Sequence, residues 1–200
     1  MMNAKDLLAR LLANENLNVI RANVGTASFE GITRTLTLPM WKDMTNEIEE
    51  MLIGHEVGHA LYTDRDRLDL LEAAQPYHSY VNVIEDTRIE RRIKDAFPGL
   101  TGAFTRGYAD FFKNGPIFND VHQRPLDSYT FIDRINIHYK IGAHVRVPFT
   151  ADELPWLKRI DSLRTFEEAV KLAKELFDRE KAKPSAKPSE TNGSKGHAKA

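Results

Sequence analysis

His55 and His59 stand four residues apart with Glu56 between them, in the run His55-Glu56-Val57-Gly58-His59. Two imidazoles and a carboxylate in this order spell the HExxH pattern of zinc sites, provided that the run is helical. On a helix, positions i and i+4 lie one above the other, so both imidazoles can reach one ion at Zn–N distances of roughly 2.0–2.1 Å. Glu56 is rotated about 100° from His55. Its carboxylate therefore sits beside the ion, where it can take the proton of a metal-bound water as that water attacks a carbonyl. The chain contains no Cys, which leaves imidazole and carboxylate as the strong ligands. The bland alternative is an ordinary helix that happens to carry these residues. Against it stand the apolar flanks Met51-Leu52-Ile53 and Ala60-Leu61, because histidines on a face shared with core residues need polar partners once buried. Gly58 lets another element pack close to this turn, at a helix cost of roughly 1 kcal/mol.

A hydrolytic zinc takes three protein ligands and keeps one position for water. The extended metzincin motif does not supply the third, since the position ten after His55 holds Arg65 where His is required. The run Asn82-Val83-Ile84-Glu85-Asp86-Thr87-Arg88 offers two acids. Glu85 has Val81 four residues before it and Ile89 four after, so its stripe is apolar and faces inward, and an inward carboxylate must be paired, neutralised or metal-bound. Glu85 is accordingly the expected third ligand, with a buried ion pair to Arg88 or Arg92 as its alternative. Asp86 shares a stripe with Asn82 and Glu90 and is expected to hold His55 or His59 in the metal-binding tautomer. The two acids can exchange these roles. Arg88 is the expected catalytic cation, stabilising an oxyanion, and Tyr62, Tyr77, His78, Tyr80, His138 and His144 are further donors of that kind. His138 also reads as a core histidine, in an apolar helix with Phe131, Ile135 and Ile141.

These residues need elements to position them. Ile48, Met51, Leu52, His55, His59 and Tyr62 recur at helical spacing over 45–62, with Asp43 or Thr45 as N-cap. A second long helix over 79–97 is predicted from Val81, Ile84, Ile89, Ile93 and Phe97, ended by Pro98-Gly99. Before the metal helix, 18–22, 26–30 and 34–38 read as short strands of a meander, separated by Gly25 and Gly31. Arg34 to Leu38 alternates like a half-buried or edge strand and could pair with an extended peptide. Further helices are predicted over 7–12, 65–74, 128–141, 152–160 and 165–179, while Phe104 to Phe112 is an aromatic-rich segment. The fold class is α+β and mainly helical, with a small sheet beside the metal helix. One domain over 1–180 is expected, followed over 181–200 by a low-complexity Lys/Pro/Ser/Gly tail too polar to order itself.

With 42% hydrophobic and 28% charged residues the composition is that of a globular protein, and the net charge of -1 supplies no cationic excess for a nucleic acid. The first twelve residues are amphipathic without a continuous apolar run, so neither a membrane span nor a cleaved signal is read there and the expected location is cytoplasmic. A di-iron helical protein would need a second Glu-x-x-His repeat beside Glu56-Val57-Gly58-His59.

An HExxH followed at a distance by a glutamate on a second helix resembles the gluzincin arrangement. More narrowly, Asn82 to Glu90 is similar to metallopeptidases, many of them phage-encoded, described as cobaltochelatase T-subunit-like or von Willebrand A-domain-associated proteins, a similarity that covers 36–98. The resemblance implies a zincin-like zinc peptidase domain acting on a peptide or protein, in the host cytoplasm or virion if phage-encoded, with a MoxR-type AAA+ ATPase as possible partner. No Asp-x-Ser-x-Ser adhesion motif of the companion A domain occurs in the chain. A zinc-stabilised interaction module with vestigial catalytic geometry, acting in ATPase-linked or virion assembly, is the competing expectation.

Overall fold

The computed structural model of the chain describes residues 4–64, 67–114 and 118–182. Its small sheet holds β1 (Asn18–Ala22), β2 (Ser28–Glu30) and β3 (Thr35–Pro39) in the order β1-β3-β2. The alternation in β3 does what period-two patterning dictates: Leu36 and Leu38 are fully buried, and Thr35 and Thr37 are partly exposed. The meander and the edge position expected for this strand are both corrected. β3 is central, parallel to β1 with Asn18 opposite Thr35, and antiparallel to β2 with Ser28 opposite Thr37. It takes the centre because it buries two leucines, whereas β1 has no fully buried residue and β2 contributes only Phe29. Arg34 lies outside the strand, in a left-handed turn conformation (φ 50°), and the Glu30 carboxylate closes that turn by accepting from the backbone N–H of Ile32 at 3.0 Å.

Two long helices follow. The first helix, α1 (Ala4–Ala13), packs on α2 (Asn46–Tyr62), whose N-terminus is capped by Thr45 accepting from the Ile48 N–H at 3.2 Å. α2 buries residues all round its circumference, as a helix does when it is enclosed by other elements. A short helix α3 (Leu68–Ala73) and a 3-10 turn (Gln75–Tyr77) lead into α4 (His78–Ala96), which ends before Pro98-Gly99 as predicted. The aromatic-rich segment is itself a helix, α5 (Leu100–Asn114), laid across α2. Its Gly107 makes that crossing possible, since a Cβ there would lie 2.4 Å from Met51 Cβ and 2.9 Å from the Glu47 carbonyl oxygen. Three more helices close the chain: α6 (Phe131–Ile141), α7 (Leu154–Ser162) and α8 (Phe166–Ala182). The expected tail, beyond Ala182, lies outside the described residues.

Apolar side chains gather in two cores. One joins α1, the sheet, α2 and α5; the other joins α7 and α8. α4 and α6 belong to both, α4 through Ile93 in the first and Val81 and Ile84 in the second, α6 through Ile137 and Ile141 in the first and Ile135 in the second. The helices that face the HExxH turn are thus fixed from both sides. Among the described residues no helix is long and apolar enough to cross a membrane.

Candidate metal centre

Gly58 brings α4 against the HExxH turn: a Cβ on it would lie 2.9 Å from Ile89 Cδ1. The two helices run in opposite directions, so that His59 faces Asp86 and His55 faces Glu90. Asp86 Oδ1 lies 3.2 Å from His59 Nε2 and 3.6 Å from His55 Nε2. The three donor atoms fall within 4.8 Å of one another, a group that can hold a metal ion.

Both imidazoles are oriented for this from behind. The Nδ1–H of His55 donates to Glu90 Oε1 at 3.0 Å, because an ionised carboxylate can only accept. Thr63, the C-cap of α2, gives its hydroxyl proton to Glu85 Oε1 at 2.6 Å, so its oxygen accepts from His59 Nδ1–H at 2.9 Å. Each histidine is therefore held with Nε2 as the nitrogen open to a cation, which is how carboxylate–histidine pairs tune metal sites.

Glu85 was expected as the third ligand, and the structure places it elsewhere. It is buried, as its apolar stripe requires, but Arg88 Nε and Nη2 grip its two oxygens at 2.7 and 2.6 Å. Asp86 stands in the group that can hold an ion, and Glu85 reaches His59 through Thr63, the reverse of the placement expected for the two acids. Facing inward and facing the histidines are different directions on α4, and the stripe that faces them is the polar one with Asn82, Asp86 and Glu90. Arg88 is corrected as well. It is 0% exposed, and besides Glu85 it donates to the carbonyls of Tyr62 at 2.7 Å and Arg164 at 3.0 Å. It lines a different cavity from the histidines, and its guanidinium is already engaged by Glu85 and the two carbonyls.

The Nε2 atoms open onto a cavity of about 490 Å3. Its walls come from the strand β2 with the preceding Thr26 and Ala27, from α2, α4, α5 and α6. Glu56 lines it, 6% exposed, and its carboxylate makes no hydrogen bond among the described residues. Lys140 on α6 reaches in from the far side and donates to Asp86 Oδ2 at 2.8 Å. Tyr108 on α5 donates to Glu90 Oε1. Of the other expected donors His78 lines this cavity, beside Asn82. Tyr62 packs under Arg92, Tyr77 against Phe177, Tyr80 donates to Glu180, His138 packs edge-on to Phe149 and His144 stacks on Phe112.

Burial works against every charge in this network, yet the partners outweigh it. Despite burial, Lys140 and the two histidines hold the Asp86 carboxyl well below the usual range, and His55 and Lys140 pull Glu90 down. Burial likewise lowers His55, but Asp86 and Glu90 raise it above its ordinary value. Lys140 is raised in spite of burial, by Asp86 and Glu90. The Tyr108 phenol, buried against Glu90, is pushed far up and remains a neutral donor.

Residue reasoning missed Thr63, Tyr108 and Lys140. No local signal marks Tyr108 and Lys140, since each meets the site from an element distant in the chain, whereas Thr63 stands one helical turn beyond His59 at the end of α2. Glu90 had a signal, standing four residues beyond Asp86 on the same stripe, the spacing that repeats His55 to His59. In comparisons with known proteins, no family model matches the chain, and no curated protein or solved structure is similar to it.

Proposed function

We propose that the chain is a zinc-dependent metallohydrolase of the peptidase type, with a zincin-like arrangement that departs from the gluzincin pattern in taking Asp86 as third ligand. The observation that carries this reading is the convergence of His55, His59 and Asp86 on a cavity that also contains the Glu56 carboxylate. The donor set fits zinc: two imidazoles with Nδ1 engaged by Glu90 and Thr63, one carboxylate, and no thiolate. Zinc held there would supply a Lewis acid that polarises a carbonyl and lowers the pKa of a water. Glu56 takes the proton of the attacking water and returns it to the leaving amine, the work of a general base and then a general acid. The exposed side of β2, which among the described residues pairs only with β3, borders the cavity and can align an extended backbone by strand addition.

The test is Glu56→Gln in the full chain loaded with zinc, assayed on a library of quenched fluorescent peptides. Turnover should fall by about 10²–10⁴-fold with zinc content unchanged. A variant as active as the parent, or a zinc-loaded parent that cleaves nothing, refutes the reading, and the second result favours an interaction module stabilised by the metal.

A further inference from the structure

Asp86 divides its carboxylate between two partners. Oδ1 points at the two histidine nitrogens, and Oδ2 is taken by Lys140 Nζ at 2.8 Å. Among the described residues that line the cavity, Lys140 is the lysine or arginine, and it faces the carboxylates of Glu56 and Asp86 there. Its position is built. Ile135 and Ile141 of α6 are fully buried in the two different cores, so the helix cannot roll and carry the ammonium away, and Nζ lies 5.8 Å from the centre of the Tyr108 ring.

An aspartate can bind a cation through one oxygen or two. A second oxygen would crowd the position that a hydrolytic site keeps for water and raise the number of donors from four to five. A charge-assisted hydrogen bond from an ammonium to the distal oxygen is directional and strong enough to bias that choice. We propose that Lys140 is a positioning residue that confines Asp86 to ligation through Oδ1 and so keeps the fourth position of the metal open. This rests on the metal site proposed above but not on peptide hydrolysis, and it gives the lysine a role that charge balance alone does not require.

Cobalt(II) in place of zinc tests it without turnover, because its visible absorption is strong with four donors and weak once a fifth is added. The full chain and Lys140→Arg should show the strong spectrum. Lys140→Met should show the weak one and bind cobalt about 10–100-fold less tightly, the usual loss when a partner behind a ligand is removed. Lys140→Gln, which keeps a hydrogen-bond donor without the charge and serves if the Met variant does not fold, should lie between them. An unchanged spectrum in both the Met and Gln variants overturns the proposal, whatever the affinity. A parent chain that takes up no cobalt overturns the metal site and the proposal together, whereas a parent that binds cobalt with the strong spectrum but cleaves no peptide sinks only the peptidase reading.

Discussion

Arg88→Met keeps the length of the side chain and deletes the guanidinium. The structure states what is then stranded: the Glu85 carboxylate, 3% exposed, loses both of its charged hydrogen bonds, and the carbonyls of Tyr62 and Arg164 each lose a donor. Breaking a buried ion pair by removing one partner costs about 3–5 kcal/mol, mostly as the penalty for the charge left behind. At about 2–4 °C per kcal/mol for a chain of this size, the melting temperature should fall by roughly 6–20 °C. The measurement is urea and thermal unfolding of the chelator-treated protein, since a metal that binds only the folded state would mask part of the loss. Adding Glu85→Gln to Arg88→Met removes the stranded charge while an amide oxygen can still accept from Thr63, and it should restore about 2 kcal/mol or more. A single variant that loses less than about 1 kcal/mol, or a double variant no more stable than the single, would show that the Glu85–Arg88 pair is not the buried unit described above.

Three further outcomes are expected. Asp86→Ala should abolish zinc retention in competition with a chelator, whereas Glu85→Gln should keep the metal and weaken it by about tenfold; the reverse order would return the ligand role to Glu85. Zinc affinity should fall on acidification, because Asp86 and Glu90 raise the pKa of His55 in the metal-free chain, so a proton competes for Nε2 up to a higher pH than for an ordinary histidine. Below that raised pKa each pH unit should cost about tenfold in affinity, and a pH-independent affinity from pH 5 to 8 would contradict the assignment of His55. Gly107→Ala should destabilise by about 1–3 kcal/mol through overpacking, although helix propensity alone favours Ala by about 1 kcal/mol. The new methyl would meet Met51 Cβ and the Glu47 carbonyl, and a variant more stable than the parent in urea would mean that α5 does not cross α2 so closely.

Local rules were enough to read most of the helices. The HExxH run is helical because its apolar period and the Thr45 cap are encoded within a few residues, and the Pro98-Gly99 stop ends the next long helix by an equally local rule. α5 escaped the same rules. Its glycines lower helix propensity, and what returns the stability is contact with α2, a partner some fifty residues away that no local window contains. The sheet failed for a similar reason: strand identity is local, but β3 becomes central only when both neighbours compete for the strand that buries most.

For the site, the sequence alone settled the two imidazoles and the carboxylate between them, because one turn of helix fixes their relative geometry. It also narrowed the third member of the candidate metal group to two adjacent acids. Which of them turns toward the histidines was decided by the rotation of α4 about its own axis, and that is set by Ile84 and Ile93 entering cores made by other elements and by Ile89 packing on Gly58. Adjacent residues on a helix point about 100° apart, so a modest rotation of the packed helix exchanges a candidate ligand for an ion-pair partner. The same holds for Lys140 and Tyr108, whose relation to Asp86 and Glu90 exists only after α5 and α6 have docked.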